Sequence, residues 1–253
     1  MDMEQEGATY RRLWEIDTLR GIAVVFMIGY HFVFDLAFFG AYATNMYSAG
    51  WQFVARSIGT TFILVLGISA TLKYHRLAPR LGRKQLFLQY LKRGAILFAW
   101  GMVITVVTYF VLGRGFVVFG ILHLLGLSLI LAFPFLQSRW GSLIGGLVAI
   151  GVGTRLALLR TLSPWLLWLG VPQFRRAMVD YYPLLPWFGV ALLGIFVGFT
   201  LYPRGARRFA LPDLSHTALV RALGYLGKHS LLIYLIHQPI MLGLLILAGI
   251  GSI

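Results

Sequence analysis

The chain has 253 residues, 59% of them hydrophobic and only 12% charged, where soluble domains carry roughly 45–50% and about 25%. With a mean hydropathy of +0.81, that much apolar surface cannot be sealed inside one soluble core of this size. The formal net charge of +14 fits the basic cytoplasmic loops of a membrane protein better than a nucleic-acid footprint, and the absence of cysteine excludes disulfides, thiolate metal sites and cysteine nucleophiles.

A spanning helix needs about 20 apolar residues. Seven runs meet or approach that length: 18–40, 51–72, 94–112, 116–136, 141–159, 183–202 and 230–250. The fifth contains Arg155, and so is the weakest. The first is too long for the apolar core of a cleavable signal, and Asp17 and Arg20 stand at its start. The Trp- and Leu-rich stretch 163–170 (SPWLLWLG) is too short to cross and suits the interface. The expectation is an all-α, polytopic transmembrane bundle of about seven spans. It is organised as a cytoplasmic N-terminal segment, 1–17, and a single transmembrane domain, 18–253.

Orientation follows from the loops. The segment 74–93 carries Arg76, Arg80, Arg83, Lys84, Lys92 and Arg93. The segment 203–228 carries Arg204, Arg207, Arg208, Arg221 and Lys228, and the N-terminus adds Arg11 and Arg12. Seven spans put all three on one side, whereas the first loop of the other side, 41–50, has no charged residue. Excess Lys and Arg mark the cytoplasmic side, so the N-terminus is expected inside and the C-terminus outside.

Ionisable side chains within spans are costly and mark function by default. The first span holds the densest set: Asp17, Arg20, His31 and Asp35. Eleven helical steps from Arg20 to His31 come within about 20° of three full turns, which puts the two on one face about 16 Å apart. Asp35 lies one turn beyond His31. The stripe Arg20, Val24, Met27, His31, Asp35 should therefore face the bundle. A carboxylate beside an imidazole orients the ring and raises its basicity, which suits general-base work; a polar pair that merely locks the helix to a neighbour fits the same spacing. His123, His229 and His237 also stand in apolar context, where helix–helix contacts and function are both open. A zinc site on His31, Asp35 and His123 lacks any paired metalloenzyme spacing, and no metal is expected. The segment 180–187 (DYYPLLPW) is either an interfacial aromatic belt or the wall of an acceptor pocket, with Asp180, Tyr181 and Trp187 on it.

These residues also carry a family pattern. The run DTLRG at 17–21 with His31 and Asp35, then GILH at 120–123, DYYPLLPWFG at 180–189 and GKHSLLIYLIHQP at 227–239, resembles the heparan-alpha-glucosaminide N-acetyltransferase catalytic domain family, whose bacterial members are small membrane proteins. The Arg20-x10-His31 spacing is similar to that of acyltransferase-3 membrane enzymes. The lysosomal sugar acetyltransferase differs: it has Asn in place of His31, and its catalytic His lies in the following luminal loop. Here the corresponding loop, 41–50, has no His.

The resemblance implies acetyl-CoA, or another acyl-CoA, as donor from the cytoplasm, and a sugar, glycan or related acceptor at the outer half of a bacterial inner membrane. On that reading the catalytic set is His31, Asp35 and His123. The cofactor-binding set is Arg20, Arg93 and His237, and the substrate-binding set is Asp180, Tyr181 and Trp187. The expected partners are acyl-CoA, acceptor and membrane lipids, without nucleic acid; analogy extends to a homodimer. A transporter or channel using the same His/Asp/Arg face is the competing reading.

Overall fold

A computed structural model describes residues 13–113, 115–161, 163–173 and 178–251; Arg11 and Arg12 lie outside them. Among the described residues the chain is helical throughout, with eight α-helices and no strand: α1 Trp14–Phe38, α2 Ala49–Leu77, α3 Arg83–Leu112, α4 Ile121–Leu131, α5 Arg139–Leu156, α6 Leu184–Leu201, α7 Ala218–Lys228 and α8 Ser230–Leu247. Five of them, α1, α2, α3, α6 and α8, are long and apolar enough to cross a membrane.

The helices differ from the hydropathy runs in instructive places. The basic stretch expected as a loop, 74–93, is mostly helix: α2 continues to Leu77 and α3 starts at Arg83. Hydropathy reads the thickness of hydrocarbon, whereas Lys, Arg, Gln and Leu are good helix formers that carry a helix past it. The run 116–136 divides, because Pro134 converts its end into the 3-10 turn Phe133–Gln137. Ser138 then caps α5 by accepting from the Gly141 amide at 2.9 Å. Arg155 sits in the last turn of α5, where its long side chain can reach an interface. The 163–170 stretch holds only the 3-10 turn Pro164–Leu166. The basic segment 203–228 ends in α7, which the apolar window misses because α7 is amphipathic and charged.

The chain forms two compact units. In the first, α1 packs on α7 and α8. Gly21 lies against the Leu223 carbonyl and Gly227 against that of Asp17, so closely that any side chain at either glycine would collide with backbone. Small residues permit such approach in apolar surroundings, where dispersion and hydrogen bonds replace the hydrophobic drive. These two contacts run in opposite senses along the chain, so α7 is antiparallel to α1. The contacts of α8, described below, run in the same sense as α1.

The second unit comprises α2 to α6. Its core groups Tyr90, Leu129, Phe133, Leu136, Leu192 and Ile195, all buried. Tyr90 donates to the Ala70 carbonyl at 2.7 Å, so its phenol is satisfied in an apolar setting. Gly94 and Gly126 bring α3 and α4 into backbone contact.

Candidate functional site

The first unit builds a polar ladder between α1 and α8. Val24, Met27 and Asp35 are buried while Leu19, Ile22, Val25 and Phe26 are exposed, so the stripe expected to face inward does so. His31 Nδ1 lies 3.0 Å from His237 Nε2, with the ring centroids 4.9 Å apart. One residue further on α8, Gln238 Nε2 donates to Asp35 Oδ1 at 3.3 Å.

The tautomers follow from the partners. His237 Nδ1 stands 2.8 Å from the Tyr234 carbonyl and 3.1 Å from that of Ile233. Carbonyls only accept, so this nitrogen carries hydrogen. In a neutral ring Nε2 is then the acceptor, and His31 Nδ1 must donate to it. The His31 ring also has a backbone hydrogen bond to the Met27 carbonyl; with the ring hydrogen on Nδ1, the lone pair of neutral His31 falls on Nε2, which is the state of a general base. Sequence reasoning paired His31 with Asp35; the structure gives its hydrogen bond to His237 and gives Asp35 to Gln238. The adjacent polar pair at 237–238 in an otherwise apolar helix was the signal for Gln238.

Arg20, three turns before His31 on the same face, donates to Asp17 Oδ1 at 3.3 Å and to the Gly227 carbonyl at 3.5 Å. Its guanidinium thereby ties the N-terminal end of α1 to α7.

The second unit holds the other expected residues. His123 is 1% exposed, ringed by Phe98 and Phe119 at centroid distances of 5.1 and 5.4 Å. The Gly120 amide donates to its Nδ1 at 3.2 Å. Hydrogen therefore sits on Nε2, 3.3 Å from Thr105 Oγ1, and both ring nitrogens are occupied by the fold. Asp180 Oδ2 accepts from the Ile121 amide at 3.1 Å, placing a carboxylate on the N-terminal turn of α4, where the helix dipole favours it. Tyr181 donates to the Leu167 carbonyl at 2.8 Å, and burial pushes its phenol up to about 12. Tyr182 donates to the Ala55 carbonyl at 3.1 Å, and its ring meets that of Trp187 at 5.0 Å. A cavity of about 220 Å³ lies beside Tyr181, lined also by Tyr47, Arg160 and Gln173. Sequence reasoning passed over Arg160, whose flanking residues show no motif. Arg93 is an electrostatic neighbour of Lys73, as is Arg76, and Lys73 Nζ lies 5.1 Å over the Tyr90 ring. Lys73 and Arg76 stand near the C-terminal end of α2, and Arg93 about three turns into α3.

An all-helical fold with several membrane-length apolar helices defines a multi-pass membrane protein, and one of its units holds a histidine pair. Residues 12–239 match the family model described as heparan-alpha-glucosaminide N-acetyltransferase, catalytic. The match covers most of the chain, which therefore belongs to that family, and membership places it among membrane transferases. No curated protein and no solved structure matches the chain.

Proposed function

We propose that the protein is an acyltransferase of the cell inner membrane that moves an acetyl or other acyl group from cytoplasmic acyl-CoA to an amino-sugar, glycan or related acceptor at the outer half of the bilayer. The observation that carries this reading is the one-directional hydrogen-bond relay. It runs from the Ile233 and Tyr234 carbonyls through His237 to His31 Nδ1, and assigns the lone pair of a neutral His31 to Nε2.

In the proposed step the acceptor nitrogen or oxygen attacks the thioester carbonyl carbon while His31 Nε2 takes its proton. The carbon–sulfur bond breaks, and the departing thiolate recovers that proton from the imidazolium as free CoA. Such transfer needs positioning and one base. His237 serves as the orienting partner, because the ring nitrogen it accepts from cannot turn toward substrate. Within the first unit Arg20 offers charge for the phosphates of the donor; within the second, Arg93 with its cationic neighbours on α2 is the group that could do so. Asp180, Tyr181 and Trp187 shape the acceptor region of their own unit.

The test is transfer from labelled acetyl-CoA to a panel of amino sugars by purified protein in liposomes. Removing a general base costs about 10²–10⁴-fold, so His31→Ala should lose activity by that order while unfolding at the wild-type temperature. Wild-type turnover in that variant would dismiss His31 as the base. Solute flux through the same liposomes without transfer would favour a transporter.

A further inference from the structure

Two buried oxygens beside the histidine pair have no hydrogen-bond partner: Asp35 Oδ2 and Gln238 Oε1. They belong to the two side chains already joined by Gln238 Nε2–H to Asp35 Oδ1 at 3.3 Å. Asp35 is 2% exposed. An ionised carboxylate there would be a buried charge met by one long hydrogen bond, with an amide oxygen orphaned next to it. Both features are expensive away from water, and more so within a span. No cation offsets them: among the described residues no Lys or Arg forms an ion pair with Asp35. The titratable neighbours, His31 on α1 and His237 on α8, each hold one ring hydrogen and are neutral in their relay.

We propose that Asp35 is a neutral carboxylic acid joined to Gln238 in a two-point pair, and that Gln238 is a positioning residue for the His31–His237 contact. A single proton on Oδ2 donates to Gln238 Oε1 while Gln238 Nε2–H donates to Oδ1, so one hydrogen satisfies both orphaned oxygens. Turning the amide over does not remove the need, since it sets two acceptors against each other. The pair forms the second rung of the α1–α8 ladder. It fixes the register that lets His237 accept from His31 one residue away. Its catalytic consequence rests on the acyl-transfer reading; the protonation and the pairing do not.

The experiment is infrared difference spectroscopy of the full-length protein in liposomes at neutral pH. Wild type minus Asp35→Asn should contain the carbonyl stretch of a protonated carboxyl group, well separated from carboxylate bands. Gln238→Leu should move that band to higher frequency, because the acid carbonyl loses its N–H donor. If Asp35→Asn does not fold, wild type labelled with ¹³C at aspartate carboxyls should shift the same band, with Gln238→Leu again identifying its owner. A spectrum with only carboxylate bands for Asp35, or a protonated band indifferent to Gln238→Leu, overturns the proposal. In kinetics, Gln238→Leu should lower kcat about 10²-fold, the order reported for a misplaced reacting group, with KM little changed. A clear infrared result with no transfer by wild type would leave the pairing intact and count only against the acyl-transfer reading.

Discussion

At the scale of single residues, three histidines in apolar helices turn out to differ in what their nitrogens are free to do. His31 turns Nδ1 toward His237, which puts the lone pair of its neutral ring on Nε2. His123 has both ring nitrogens occupied, by Gly120 and Thr105. Disturbing the aim of His31 and removing His123 should therefore have different effects. His237→Leu removes the acceptor that aims His31, and a misaimed base costs about 10²-fold in turnover; the loss should fall on kcat with KM nearly constant. His123→Ala strands the Gly120 amide and opens space between Phe98 and Phe119. It should cost about 1–3 kcal/mol of stability for the lost hydrogen bonding alone. Thermal unfolding in detergent, set beside single-turnover transfer, separates the two. A His123→Ala protein as stable as wild type would show that its ring is not a structural tie.

At the scale of elements, close helix contact is bought with glycine. Gly227 meets the Asp17 backbone and Gly21 that of Leu223, and the same crossing lets Arg20 reach the Gly227 carbonyl. Gly227→Val must push α7 away from α1, and overpacking of this kind costs about 1–3 kcal/mol. Gly224→Val, on the same helix with open space around it, is the control. Its unfolding temperature should stay near wild type while that of Gly227→Val falls; equal temperatures would mean that the crossing has given way without cost. The helices themselves were largely legible. Apolar runs of membrane length located α1, α2, α3, α6 and α8, and the 3.6-residue period placed Arg20, His31 and Asp35 on one stripe. What escaped was whatever depends on a second element. Nothing in the first span says that His31 will bond to a ring 206 positions away, or that Asp35 will meet Gln238 instead of His31. Nor does GILH reveal that its histidine is spent on the glycine three residues before it. Helix ends beyond the hydrocarbon escaped too, because charge ends an apolar window without ending a helix.

At the scale of the whole molecule, the open quantity is the number of crossings, and it turns on α4 and α5. Helix α4 has 11 residues, about 17 Å, and α5 has 18, about 27 Å, against a hydrocarbon core near 30 Å. Neither is among the membrane-length apolar helices. Yet the 3-10 turn Phe133–Gln137 lengthens the α4 arm, and α5 carries its arginines at its two ends. Arg139 reaches back over Trp140 and Phe196, at 5.2 and 5.1 Å from their ring centroids. Arginine at both ends of a helix is the placement that lets each guanidinium snorkel to its own interface. If both helices cross, the 78–82 turn, with Arg80 and the flanking Arg76, Arg83 and Lys84, shares a side with the 203–217 segment, which carries Arg204, Arg207 and Arg208, as the cytoplasmic side requires. If α5 alone fails to cross, the second basic segment lands outside. The protein has no cysteine, so single reporters carry no background. An impermeant maleimide applied to right-side-out vesicles should label Ala43→Cys. It should leave Gly82→Cys and His216→Cys untouched until the membrane is opened. Labelling of His216→Cys in intact vesicles would remove one crossing between α3 and α6 and break the seven-span topology at α4 or α5.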